Sequence, residues 1–230
     1  LFTCFRLRAS SRAVSRNSLA SLDDRSISYY LPLMTELKKS DLTRQKILTT
    51  GRALVSKHGF GAVGLARILK ESGVPKGSFY YYFPSKEAFG HALLTDYVAD
   101  YLARIDALCA TQGSAHDKLT AFWTAWLTQA GSGGIASQCL VVKLGAEVAD
   151  LSEDMRRVLD EGIAALVDRI ALLLVQGAND GSLAAFDDPR ATAQMLYAKW
   201  LGAAILAKLS RNETPLRQAL SETQSTLLKS

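Results

Sequence analysis

The sequence predicts an all-α protein: a small N-terminal head of three helices, then a larger C-terminal helical bundle. Three observations predict it. Apolar residues recur at three- and four-residue spacing through nearly all of the chain after Met34, which is the period of a helix face. No segment alternates with the period of a strand, and no internal repeat is present. Helix stop and start residues cut the pattern into about nine segments, three in the head and six in the bundle.

The elements follow in order. Thr43–His58 carries Ile47, Leu48, Ala53, Leu54 and Val55, and Gly59 is its stop. A second helix spans about Gly64–Ser72 and a third about Lys76–Tyr82. Pro84 then breaks the chain and Ser85 caps a fourth helix, which extends from Lys86 to about Gln112 with Phe89, Leu93, Val98, Leu102, Ile105 and Leu108 as its stripe. Asp117–Ala130 is the next, bearing Phe122, Trp123, Trp126 and Leu127. Gly131-Ser132-Gly133-Gly134 reads as a flexible break. Leu140–Ala149 is short. Ser152 caps a long helix, with Glu153 and Asp154 in its first turn, ending near Asn179-Asp180-Gly181. Asp188-Pro189 is an N-cap with proline at the first helical position, and that helix reaches about Ser210. The last covers about Pro215–Leu228.

Residues 1–33 differ from the rest. They are rich in Arg and Ser, lack Lys and show no sustained apolar period. They read as an over-extended reading frame or a disordered tail. The expected division is therefore 1–35 as an extension, 36–84 as the head and 85–230 as a regulatory and dimerisation bundle.

Charge is unevenly spread. The net charge of the chain is +5. Between Glu36 and Gly90 ten Lys and Arg face four acids, a balance of +6. Residues 1–33 carry +3, which leaves the remainder at −4. A basic head on an acidic body points to a polyanion partner for the head. The three cysteines, Cys4, Cys109 and Cys139, are odd in number and irregular in spacing, which fits a reducing cytoplasm. No apolar run approaches the ~18 residues of a membrane span.

The segment Leu65–Phe83 is a short amphipathic helix, a Gly-containing turn and a second helix whose surface is Lys, Ser and Tyr. That is the layout of a helix-turn-helix that enters a DNA major groove. Lys76 stands at the start of the second helix, where base edges are met, and Gly77 lets backbone approach the duplex. Ser78 and the tyrosines offer hydroxyls to phosphate oxygens. Phe79 and Phe83, four apart, face inward with Ile68, Leu69 and Val74. Three consecutive tyrosines cannot share one helix face, so at least one of Tyr80, Tyr81 and Tyr82 points outward, and Tyr81 is the one expected to.

The run Gly73-Val74-Pro75-Lys76-Gly77-Ser78-Phe79-Tyr80-Tyr81-Tyr82-Phe83-Pro84-Ser85-Lys86-Glu87 resembles the signature of the TetR family of bacterial transcriptional repressors. The resemblance implies an all-α homodimer with one helix-turn-helix per subunit on a palindromic double-stranded operator. It implies that Ser78, Tyr80, Tyr82 and Lys86 hold phosphates while Lys76, Gly77 and Tyr81 approach bases. One departure is Gly64, where many members carry a capping Thr or Ser. A narrower resemblance, over Cys139–Arg156 and Leu196–Ala203 with Lys208, is to the NemR-like, electrophile-responsive subgroup. It implies that Cys139 is a reactive thiol and Lys208 an amine near it.

The residues themselves leave Cys139 open. The glycine-rich break before it allows access, the start of a helix lowers a thiol pKa, and Lys143 lies four residues on. Against this, a free cysteine is commonly a small buried apolar residue. Cys109 reads as packing. Trp123, Trp126, Tyr197 and Trp200 line a ligand pocket or fill the bundle core. Leu196, Leu201, Ala203, Ala204, Leu206 and Ala207 form a dimer face or an internal one.

An enzyme is not expected. Glu147, Asp150 and Asp154 recur at near-helical spacing, but no His accompanies them and they read as capping, solvent-facing acids. Metal-ligand pairs and a phosphate loop are missing from the sequence, so neither metal nor cofactor is expected. The expected activity is operator release when Cys139 meets an electrophile or oxidant. Release by a reversibly bound hydrophobic ligand is the alternative, and a non-specific architectural protein a third possibility.

Overall fold

A computed structural model describes residues 24–127 and 134–228, with side chains from Lys39 onward. The described residues are helical throughout, in ten segments: α1 Asp24–His58, α2 Leu65–Ser72, α3 Lys76–Tyr82, α4 Lys86–Cys109, α5 Ala115–Thr124, α6 Ile135–Gln138, α7 Leu140–Leu151, α8 Glu153–Asp180, α9 Pro189–Ser210 and α10 Thr214–Leu227. Helix α1 begins well before the expected Thr43, so residues 24–33, set aside on composition, continue a helix. Cys4 and Gly131–Gly133 lie outside the described residues. Residues up to Arg44 group as one unit and Gln45 onward as another. Every site below belongs to the second.

Local chemistry explains the boundaries. Gly73 closes α2 with φ 63°, its N–H donating to the Leu69 carbonyl, a left-handed stop that glycine adopts without strain. Ser85 caps α4 by accepting the Ala88 N–H at 2.9 Å. Helix α5 starts two residues earlier than expected, because Ser114 and Asp117 form a reciprocal capping box. Ser152 caps α8, and Asp188 caps α9 by accepting the Ala191 N–H at 2.9 Å.

Two apolar clusters hold the second unit. One joins α5, the body of α8, α9 and α10 around Trp123, Trp126, Trp200, Leu119 and Ile170. The other joins α1–α4 around Phe79, Phe83 and Phe89, and it also takes in Leu140, Leu144 and Val148 of α7 and Met155 and Leu159 of α8. Full burial of such a side chain is worth about 1.5–3 kcal/mol. The core that shapes the head therefore runs on beyond residue 84 into α7 and α8. Gly90 of α4 lies at this junction. A methyl there would stand 2.5 Å from Met155 Sδ and 2.6 Å from the Phe60 ring. No helix among the described residues is long and apolar enough to cross a membrane.

Candidate nucleic-acid interface and sensor site

The head presents α3 to solvent. Phe79 and Phe83 point inward, with Ile68 and Val74 buried beside them and Leu69 packed against the cluster. Tyr81 is 78% exposed, as expected, and Tyr80 is also exposed. Tyr82 is half-buried, its ring 5.0 Å from that of Tyr81 and edge-on. Lys76 and Gly77 are exposed and Ser78 is half-buried. Gly64 occupies the N-cap of α2 without a side-chain hydrogen bond, so the cap that Thr or Ser would give is missing at this position. Lys86 is partly committed inward: its ammonium donates to the Gly61 carbonyl at 3.2 Å and sits 4.9 Å from the Phe60 ring centre. It is thus a brace of the α1–α2 turn as well as a surface cation.

Cys139 stands at the N-cap of α7, as its place in the sequence indicates, but it is only 2% exposed. This corrects the expectation of an open thiol with a lowered pKa. Burial pushes the Cys139 pKa up, and the amides of Val142 and Val141, the Tyr97 hydroxyl and the Lys143 charge oppose that only in part. The Tyr97 hydroxyl donates to Cys139 Sγ at 3.7 Å and accepts the Leu140 N–H at 3.2 Å. Tyr97 and Tyr101 are themselves driven far above the ordinary tyrosine range by burial, then by the neighbouring thiol.

The thiol borders a cavity of about 360 Å³. Ile105, Leu108, Phe122 and Ile135 give it apolar walls, and Arg52 and Arg104 reach it from α1 and α4. The expected pocket residues lie elsewhere. Trp123 and Trp200 stack at 5.0 Å and 15° in the bundle core, fully buried. Trp200 donates to Thr223 Oγ1 at 3.0 Å. Tyr197 borders a void of about 20 Å³, and Trp126 borders a second cavity of about 490 Å³. Trp123 and Trp200 are core because α5 and α9 bring these two rings face to face, while Trp126 meets Tyr197 edge-on.

Lys208 lines the second cavity with Lys143 and Ser56. Lys143 stands between Lys208 and Cys139 electrostatically: burial lowers its pKa first, the Lys208 charge adds to this, and Cys139 opposes it. Cys109 is half-buried and its pKa is raised by burial, in keeping with a packing role.

Glu147 was expected to face solvent, and the structure corrects this. Its carboxylate accepts the Phe60 N–H at 3.1 Å and the Gly61 N–H at 2.6 Å. One turn earlier on the same face of α7, Lys143 donates to Ser56 Oγ at 2.8 Å. Arg52 of α1 pairs with Asp100 of α4 at 3.2 Å and lies 4.8 Å from the Tyr97 ring centre. The hydrogen-bonded partners are 48 to 87 residues apart, so no local pattern announces them. Helix α7 thus holds the head at two points.

The expected dimer face divides. Leu196, Ala203 and Ala204 are buried in the protomer's own core, whereas Leu206 is exposed. The outward apolar residues of α8 and α9 are Leu172, Val175, Met195, Ile205, Leu206 and Leu209. The period of α9 marks both faces equally, so the sequence could not tell inner from outer.

Comparison with known proteins completes the picture. Residues 47–93 match the bacterial regulatory proteins of the tetR family, and residues 115–223 match the tetracyclin repressor-like C-terminal domain. The HTH-type transcriptional repressor NemR of Escherichia coli K12 is 42% identical over 184 residues, spanning 80% of this chain and 92% of that one. The transcriptional regulator AcuR of Cereibacter sphaeroides is 33% identical over 77% of this chain and 81% of its own. The crystal structure of reduced E. coli NemR superposes with a TM-score of 0.76 at 40% identity, covering 82% of this chain and 98% of that one.

Proposed function

The chain belongs to the TetR family and is a DNA-binding transcriptional repressor, not an enzyme, and we propose that it releases its operator when an electrophile or oxidant modifies Cys139. It acts in the cytoplasm as a homodimer on a palindromic operator. The observation that carries the sensor role is the position of Cys139 beside a cavity at the head of α7, the helix whose Lys143 and Glu147 hold α1 and the α1–α2 turn. Tyr97 and the Leu140 amide already occupy the space around the sulfur. A group added to Sγ displaces them, and α7 moves with its N-terminus.

Motion of α7 alters the grip on the head, and with it the separation of the two recognition helices in the dimer. Adjacent major grooves on one face of DNA lie about 34 Å apart, so a changed separation weakens binding. Lys76, Gly77 and Tyr81 approach bases; Ser78, Tyr80, Tyr82 and Lys86 serve phosphates. The exposed apolar strip of α8 and α9 seats the second subunit. Lys208 acts on Cys139 at one remove, through Lys143.

The test is operator release by N-ethylmaleimide, measured by gel shift on DNA upstream of the protein's own gene. Wild type should release, and Cys139→Ser should hold. The alternative, a reversibly bound hydrophobic inducer, draws support from the apolar walls of the same cavity; release that survives Cys139→Ser selects it.

A further inference from the structure

The cavity beside Cys139 carries charge of one sign. Among the described residues, its charged lining residues are Arg52 and Arg104. Their shared counter-ion, Asp100, does not line it; that carboxylate borders a separate surface depression on the far side of the two arginines. Both guanidiniums lean on one atom, Asp100 Oδ2, at 3.2 Å and 2.8 Å. Each guanidinium has five N–H donors, of which Asp100 takes one apiece. Two cations against one anion leave the rim positive.

A second observation points the same way. The Tyr101 hydroxyl is buried, belongs to a residue lining the cavity, and has no hydrogen-bond partner among the described residues. A buried hydroxyl without a partner costs about 1–3 kcal/mol, and a turn of the ring that brings it to the cavity surface lets a bound acceptor relieve that cost. Opposite the arginines the walls are Ile105, Leu108, Phe122 and Ile135, and Cys139 completes the lining.

We propose that this cavity selects small anionic electrophiles: α,β-unsaturated carbonyl compounds with one carboxylate, an apolar body and an electrophilic carbon. The carboxylate pairs with Arg52 and Arg104. The Tyr101 hydroxyl donates to the carbonyl oxygen, where negative charge develops during addition. Cys139 Sγ forms a bond to the β-carbon, and the C=C electron pair moves to the carbonyl oxygen. The enolate then takes up the thiol's proton at its α-carbon. The net change is addition of S–H across C=C, with no oxidant and no leaving group. This selectivity rests on Cys139 being the sensor, but the binding step does not.

The probes are 3-benzoylpropionate, a saturated acid that cannot react, its methyl ester, and the unsaturated 3-benzoylacrylate. Calorimetry on the dimer should show the saturated acid binding, with the ester more than about tenfold weaker, the loss of the charge-assisted contacts to both arginines. Arg104→Met should cost the acid about tenfold and the ester little. Arg104 is largely exposed, so this variant folds, and the acid–ester pair needs no variant at all. The saturated acid should also slow N-ethylmaleimide labelling of Cys139, read by intact mass. Equal binding of acid and ester, or no protection of Cys139, overturns the proposal even if N-ethylmaleimide still releases the operator. If 3-benzoylacrylate labels Cys139 faster than its ester does and the operator stays bound, the cavity assignment stands and the sensor role falls.

Discussion

Tyr97 and Cys139 share one polar contact at the seam of two apolar clusters: the phenol donates to the sulfur at 3.7 Å while accepting the N–H of the next residue, Leu140, at 3.2 Å. Tyr97→Phe therefore orphans a buried amide and removes a donor that favours the thiolate. The variant should lose about 1–3 kcal/mol of stability in urea unfolding. It should also react more slowly with N-ethylmaleimide than wild type at pH 8. Faster reaction would show that the phenol shields the sulfur and does not activate it.

The pH dependence of stability has a fixed sign. In the unfolded chain a cysteine titrates near 8.5; in the folded protein burial places Cys139 higher. The folded state thus holds its proton longer. The stabilisation is complete below about pH 8.5 and is lost as pH rises through the folded value. Burial also raises Cys109, so the double variant Cys109→Ser, Cys139→Ser should delay the onset of alkaline destabilisation to about pH 10, where unfolded tyrosines ionise and the buried Tyr97, Tyr101 and Tyr197 do not. Chemical denaturation at stepped pH reads this directly. An onset shared by both proteins would be the contrary result.

Glu147→Ala leaves the Phe60 and Gly61 amides without their acceptor. A contact to a charged group is worth about 1.5–3 kcal/mol, less here because the Gly61 contact is exposed. The difference in operator affinity between reduced and alkylated protein should shrink several-fold in fluorescence anisotropy. An unchanged difference would exclude α7 as the connecting element.

Tyr81→Ala should relax sequence preference by about tenfold, in line with about 1–3 kcal/mol per base contact. Lys86→Ala should weaken cognate and random DNA alike and reduce the salt slope by about 0.9. It should also lower the melting temperature, because Lys86 braces Gly61 and Phe60. Anisotropy at several salt concentrations separates the two roles, and identical specificity ratios in both variants would refute the division.

Trp200→Phe should destabilise the bundle by about 1–3 kcal/mol, since Thr223 loses its buried partner. It should leave the electrophile dose for operator release unchanged. A shifted dose would return the tryptophans to the inducer site.

The head was legible in sequence because its determinants are local. Gly73, Pro75 and Ser85 fix helix ends within a few residues, and the Phe79–Phe83 spacing fixes the buried face. The start of α5 was written in Ser114 and Asp117 but needed the reciprocal bond to be seen. Four residues are too few for a period, so α6 left no signal. Cys139 was placed on the correct helix end, yet its burial depends on Tyr97, 42 residues away. The contacts of Glu147 depend on a turn 86 and 87 residues away. Long-range pairing of this kind is set by the packing of helices and not by the pattern along any one of them.

Gly90 removes the one side chain that would otherwise separate Phe60 from Met155. Any larger residue at this position has to push Phe60 and Met155 apart, and with them the α1–α2 turn and the start of α8.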